Sequence, residues 1–144
     1  MALSMHVMNQ TMPNSKQRAL LDEPGPEGPI YLINLIKYRA MAEYGDGRDT
    51  ALTGREAFNL YAEAADQGLA EYNAEMLFDS HLTALFMGEV ETLWDDITIV
   101  RYGSRRDIMA LARSTKWQAL NVHREAGIEG QLLIESVGRA AFPG

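Results

Sequence analysis

The stretch YLINLIKYR, residues 31–39, constrains the fold more than any other part of the sequence. Its Ile, Leu and Tyr content, over a run too short for a typical helix, predicts a strand across Ile30–Arg39. Side chains alternate along a strand. Tyr31, Ile33, Leu35 and Lys37 therefore share one face, and Leu32, Asn34, Ile36 and Tyr38 share the other. Both faces are mostly apolar, so both call for cover. A chain of 144 residues fits one domain, which buries roughly 68–70% of its unfolded surface and forms a core without staples. Within that size, helices cover one face of the sheet and a partner covers the other.

The rest of the chain supplies the missing elements. Residues 1–28 read as a lead-in: Asn14 or Ser15 caps a short helix over Lys16–Asp22, which Pro24 stops. The EPGPEGP loop that follows is rigid, because each proline fixes φ and bars helix in the residue before it. Thr53 and Glu56 have capping-box spacing, and Phe58, Tyr61, Ala62, Ala65 and Leu69 form one apolar helical stripe ending near Tyr72 and Asn73. AEMLFDS is a second strand, with TALFMGE expected as its continuation after a break at Ser80–Leu82. Asp95–Gly103 is the third strand, with Ile97, Ile99 and Arg101 opposing Thr98, Val100 and Tyr102. Ser104 with Asp107 opens a helix carrying Ile108, Leu111 and Ala112 inward. Ser114 caps a second segment through Trp117, Leu120 and Arg124, and Gly127 stops it. QLLIESV is the last strand; residues 139–144 are a tail beyond a domain spanning 29–138.

The order β-α-β-β-α-β is the ferredoxin-like pattern, an α+β fold with an antiparallel sheet and both helices on one face. Its other face presents Ile33, Leu35, Ile97 and Ile99, an apolar patch of the kind that marks an interface. A two-fold homodimer is the expected solution.

Composition removes several functions. With no cysteine, disulfides, thiolate nucleophiles and Cys-based metal sites are excluded, and the chain suits a reducing cytoplasm. A net charge of −7 argues against a nucleic-acid partner, and Arg101, Arg105 and Arg106 read as a solvated helix start. The first residues lack the apolar run of a signal peptide, and no window approaches the ~20 apolar residues of a membrane span, so a cytoplasmic protein without membrane association is expected. None of His6, His81 and His123 stands at ligand spacing to another donor, so no metal is expected. Nor does the sequence hold a GxSxG nucleophile or a GxGxxG phosphate loop; YGDGRD has neither the spacing nor a helix directly behind it.

Taken together, GPIYLINLIKYR, DGRD, TGREAF, the Trp before ITIVRYGS, and STKWQALNVHR resemble the domain-of-unknown-function family numbered 1330, over about Pro29–Glu135. Asn73–Ala74 stands where many members have Gly-Gly, and Gly103 where members commonly have Pro. The resemblance implies a dimeric α/β barrel, two ferredoxin-like sheets packed face to face, with a ligand cleft between each sheet and its helices. Relatives of that fold include monooxygenases and haem-degrading oxygenases. The latter use an Asn on the first strand, a Trp on the third and a His on the last helix. Here Tyr102 stands at the Trp-like position and Asn121 at the His-like one, with His123 two residues on, so haem is a weak alternative and no cofactor is expected.

Four residues are candidate ligand contacts: Asn34, Tyr38, Tyr102 and His123. Asn34, an amide in an apolar strand, either orients a ligand oxygen or pairs with a neighbouring protein group. His123 either acts as a base or stabilises a helix C-terminus. Asp95–Asp96 sits at a strand entrance, and spacing assigns no carboxylate to acid or base work. Three functions fit these residues: a dimer that binds a small organic molecule in a cleft, a cofactor-independent oxygenase or isomerase on a small aromatic or polyketide-like substrate, and a structural dimer whose cleft its own side chains fill.

Overall fold

The computed structural model describes residues 12–139; His6 and residues 140–144 lie outside that range. Along the chain run α1 (Ser15–Leu21), β1 (Ile30–Tyr38), α2 (Gly54–Gly68) with a 3-10 turn at Leu69–Tyr72, β2 (Ala74–His81), β3 (Asp96–Tyr102), α3 (Arg105–Arg113), α4 (Thr115–Gly127) and β4 (Ile128–Ser136). The strands form one antiparallel sheet in the order β2-β3-β1-β4. This is the ferredoxin-like arrangement, with β1 and β3 central.

Local chemistry starts and stops the helices as the sequence leads one to expect. Asn14 and Gln17 form a full capping box on α1, and Thr53 and Glu56 do the same on α2. Ser104 and Ser114 accept from Asp107 N–H and Trp117 N–H, so Ser114 ends α3 and caps α4 in one residue. Asn73 closes the 3-10 turn at φ 53°, in the left-handed region that Asn tolerates better than other non-glycine residues.

Register separates the faces of the sheet. Ile30 faces Tyr102, Leu32 faces Val100 and Ile36 faces Asp96, and these pairs lie under the helices. Ile30, Val100 and Tyr102 pack with Leu69 and Leu111 in one core cluster, and Ile36 packs with Phe58 and Ile128 in another. On the opposite face Ile33 pairs with Ile99 and Leu35 with Ile97, and among the described residues no helix covers them. Phe78 and Ile134 on the flanking strands are about half exposed.

α2 and α4 lie close because glycine and alanine line their contact. Ala57 and Ala126 share a buried cluster. A Cβ on Gly127 would meet the Gly54 carbonyl and approach Phe58 N to 2.8 Å, so only glycine fits there. This contact sets the N-terminus of α2 down beside the end of β1.

Two boundaries differ from expectation. TALFMGE is not a strand: residues 82–95 form an irregular arm. β2 completes its pairing with β3 at His81 opposite Asp96, Leu82 N–H donates to Asp95 O at 2.8 Å, and residues 83–89 have no strand left to pair with. Phe86 is 98% exposed on this arm, and Gly88 turns it at φ 96°. β4 begins at Ile128 rather than Gln131, because Arg39 N–H donates to Gly127 O at 2.9 Å and Tyr38 pairs with Ile128, so helix passes into strand with no loop between.

Candidate functional site

Asn34 lies on the helix-facing side of β1 and is buried. Its Oδ1 accepts from Gln131 Nε2 at 3.0 Å; Gln131 Oε1 in turn accepts from Arg124 Nη1 at 2.8 Å, and Asn121 Oδ1 accepts from Arg124 Nε at 2.5 Å. The amide oxygen is therefore satisfied by β4, and through β4 it is tied to α4. Burial pushes the Arg124 guanidinium below its ordinary range, against the pull of Tyr61 and Glu125.

Tyr102 is placed elsewhere. It is 5% exposed, inside the apolar cluster at the start of β1, where burial pushes its phenol well above the usual range. Tyr38 is at the other end of β1, eight residues away and so ~26 Å along an extended strand. His123 packs edge-on against Tyr44, with Nδ1 2.7 Å from the Tyr44 hydroxyl. The four residues share the helix side of the molecule but do not converge on one point.

A second group of side chains does converge, around Asp96 at the entrance of β3. The Asp96 side chain is only 8% exposed. Its Oδ2 accepts from Tyr38 Oη at 2.5 Å and from Arg55 Nη1 at 2.8 Å, and its Oδ1 lies 2.7 Å from His81 Nδ1. The donors come from β1, α2 and β2. Tyr38 reaches Asp96 because both follow the helix-facing register at the end of the sheet; Arg55 reaches it because it is the second residue of α2. The Arg55 guanidinium also stacks on the Tyr38 ring at 4.5 Å. Next to this group, Asp95 Oδ2 accepts from Tyr38 N–H at 2.8 Å.

Burial alone would raise the Asp96 carboxyl, but hydrogen bonds from His81 and Tyr38 and the Arg55 charge outweigh it and hold the group below the usual carboxylate range. The Tyr38 phenol moves the opposite way, raised first by burial and then by its bond to the Asp96 carboxylate. An ionised carboxylate only accepts, so the His81 proton sits on Nδ1. Because the His81 side chain is 74% exposed, Nε2 is left toward solvent. A base, the group that orients it, a cation and a phenol thus lie within one hydrogen-bonded cluster. Of these, sequence reasoning singled out Tyr38 alone.

Two surface depressions lie elsewhere. One, of about 450 Å³, opens between α1 and α3 beside Arg105, Arg106 and Arg113; the other, of about 340 Å³, lies beside Asn73 and Arg101. Neither is lined by Asn34, Tyr38, Tyr102 or His123. Arg105 at the first is tied by Glu135 at 2.6 Å and by the carbonyls of Leu20 and Glu23, which fasten α1 to the domain. His123 Nδ1 is engaged by Tyr44 and Asn121 Oδ1 by Arg124. Among the described residues no group of three His, Asp or Glu side chains is arranged to hold a metal ion, and no helix is long and apolar enough to cross a membrane.

The fold and this cluster define an α+β protein of ferredoxin-like topology with an ionisable site at one end of the sheet. No family model and no curated protein matches the sequence. Among solved structures the chain is similar to RPA0582, a protein of unknown function from Rhodopseudomonas palustris, at 23% identity and a TM-score of 0.81, over 94% of this chain and 100% of that one. A methylated form of RPA0582 superposes at a TM-score of 0.82 and 25% identity, over 96% and 99% of the two chains. A dimeric protein of unknown function and ferredoxin-like fold from Bacteroides fragilis is more distant, at a TM-score of 0.48 and 14% identity, over 76% of this chain and 96% of that one.

Proposed function

We propose that this protein is a homodimer that binds a small anionic organic molecule on the helix-facing side of the sheet, at the cluster around Asp96. The observation that carries the reading is the convergence of Tyr38, Arg55 and His81 on one carboxylate that is 8% exposed, with the His81 ring open to solvent. Arg55 bonds Asp96 through Nη1, and a guanidinium has five donors in a planar fork. A ligand carboxylate or enolate oxygen is the natural partner for the rest. The Asn34–Gln131–Arg124 network is then the rigid floor that ties β1 and β4 to α4, with Asn34 shaping the site rather than touching the ligand.

The homodimer follows from the uncovered face. Ile33–Ile99 and Leu35–Ile97 form two adjacent apolar cross-strand pairs, flanked by half-exposed Phe78 and Ile134. A two-fold axis through this patch buries it against itself, as a dimeric α/β barrel does, and the sequence resemblance to the family numbered 1330 accords with that assembly. Sedimentation velocity tests it: the wild type runs as a dimer at micromolar concentration and Ile99→Glu as a folded monomer. A monomeric wild type rejects the dimer.

The ligand site is tested separately with benzoate as probe. In ¹⁵N-labelled protein the His81 imidazole resonances shift and saturate on titration, and Arg55→Met removes the response. If His81 does not move at millimolar benzoate, the cluster is structural and the ligand reading fails.

A further inference from the structure

We propose that His81 is a general base, held by Asp96, that moves a proton at the carbon next to a carbonyl in a small anionic keto acid, with Arg55 facing the enolate oxygen that forms. The assignment rests on the ligand site proposed above and adds a reaction to it. Three features of the cluster select this chemistry over others.

The first is the orientation of the imidazole. Asp96 Oδ1 lies 2.7 Å from Nδ1 and holds a proton there, which turns the other ring nitrogen, Nε2, to solvent on a ring that is 74% exposed. The second is the position of the positive charge. Arg55 Nη1 lies 3.3 Å from His81 Nδ1, and both donate toward the same carboxylate, so the guanidinium sits beside the base, where negative charge develops when a proton leaves carbon. The third is the lack of a nucleophile. The Tyr38 hydroxyl is committed to Asp96, burial and that bond raise the phenol, and Ser80 directs its hydroxyl to the His81 carbonyl. Neither hydroxyl is free to attack an acyl carbon, whereas proton transfer needs no nucleophile.

The step closes without a co-reactant. Nε2 takes the proton from the α-carbon; the C–H bonding pair becomes the new C=C bond, and the carbonyl π pair moves onto oxygen as an enolate facing Arg55. Nε2–H then returns the proton to that oxygen, so the keto and enol forms interconvert with no net oxidation. The charged and titratable groups around His81 are Asp96 from β3, Asp95 just before that strand, Arg55 from α2, Tyr38 from β1 and Asp79 from its own strand. Arg55 offsets the charge of Asp96, and Asp95 and Asp79 leave the surroundings of the ring net negative.

Phenylpyruvate in D₂O provides the test, by following loss of its benzylic proton signal. Wild-type protein is expected to accelerate this exchange well beyond free imidazole at equal concentration. His81→Ala and His81→Gln are each expected to lose about 10²-fold, the usual scale for general base catalysis. Arg55→Met should lower kcat as well as raise KM, because the enolate oxygen it faces carries its charge only as the proton leaves. Asp96→Asn should lower kcat and, in the ¹⁵N imidazole spectrum, move the His81 proton from Nδ1 to Nε2. If phenylpyruvate shifts the His81 resonances but exchange is no faster than with imidazole, the base role is overturned and the ligand site stands. If neither occurs, both are overturned. Exchange that survives in both His81 variants also overturns the assignment.

Discussion

Gly127→Ala is expected to destabilise the fold and, through one contact, to disable the site. Gly127 is the last residue of α4, and an added Cβ would collide with the Gly54 carbonyl and lie 2.8 Å from Phe58 N and 3.1 Å from Phe58 Cβ. Real Cβ contacts essentially never fall under 3.0 Å. Two of the three obstructing atoms are backbone of α2, so no side-chain rotation relieves them. The N-terminus of α2 must back away by several tenths of an ångström or more, while Arg39 N–H and Tyr38 keep their bonds to the Gly127–Ile128 junction. Overpacking of this kind costs ~1–3 kcal/mol, and the backbone obstruction puts this case at ~3 kcal/mol. For a chain of this length that is a fall in Tm of ~6–12 °C. Because Arg55 follows Gly54 directly, the same displacement carries the guanidinium off Asp96, and misplacements of ~1 Å cost on the order of 10²-fold in rate. Differential scanning calorimetry reads the first effect and the phenylpyruvate exchange rate the second. A Tm within ~2 °C of wild type would refute the argument that this contact is rigid, since unimpeded relaxation is then the only account left.

Two further outcomes follow from the network and the charges. Asn34→Leu removes the acceptor of Gln131 Nε2 on the part-buried face, so it should lower stability by ~1–3 kcal/mol in urea denaturation; an unchanged midpoint would show that the Gln131 amide finds water or another acceptor at no cost. Acid should unfold the protein in part through Asp96 and Glu135. Hydrogen bonds from Arg105 lower the Glu135 carboxyl, and those from His81 and Tyr38, with the Arg55 charge, outweigh burial to lower Asp96. A carboxyl lowered in the folded state stabilises fully above its unfolded value of ~4 and loses that contribution as pH falls through the lower folded value. Stability measured from pH ~5 down to ~2.5 should therefore fall more gently in Asp96→Asn than in wild type; equal slopes would mean Asp96 titrates alike in both states.

The faces of the sheet were legible in the sequence because alternation is a local property. Asn34 and Tyr102 fall toward the helices, and Ile33, Leu35, Ile97 and Ile99 toward the open side, as the pattern in each strand implies. The partner of Asn34 was not legible, because Gln131 is 97 residues away and reaches it only through the pairing of β1 with β4. The Asp96 cluster was hidden for a sharper reason. Its contacts span 58, 41 and 15 residues. The shortest joins the two ends of one hairpin, His81 and Asp96, which face each other as the last pair of β2 with β3. Expecting TALFMGE to continue the strand moved the hairpin's end away from His81 and so separated that pair. An arm carrying Phe86 at 98% exposure is not what a run of apolar residues suggests.

Whether the cluster is a site or only a clamp depends on what the fold needs from it. A buried carboxylate must be neutralised and hydrogen-bonded, and Arg55 with Tyr38 already achieves that for Asp96. His81 adds a third donor from a ring that is 74% exposed, a position at which ion pairs contribute at most ~1 kcal/mol. Stability therefore gives little reason for a histidine there, whereas orientation of its free nitrogen gives a definite one. His81→Ala should lower Tm by no more than ~4 °C while removing the proton exchange. Asp96→Ala, which leaves Arg55 and the Tyr38 hydroxyl without their acceptor, should lower it by more. If instead the two variants destabilise equally, His81 belongs to the clamp, and the exposed nitrogen is incidental to a structural role.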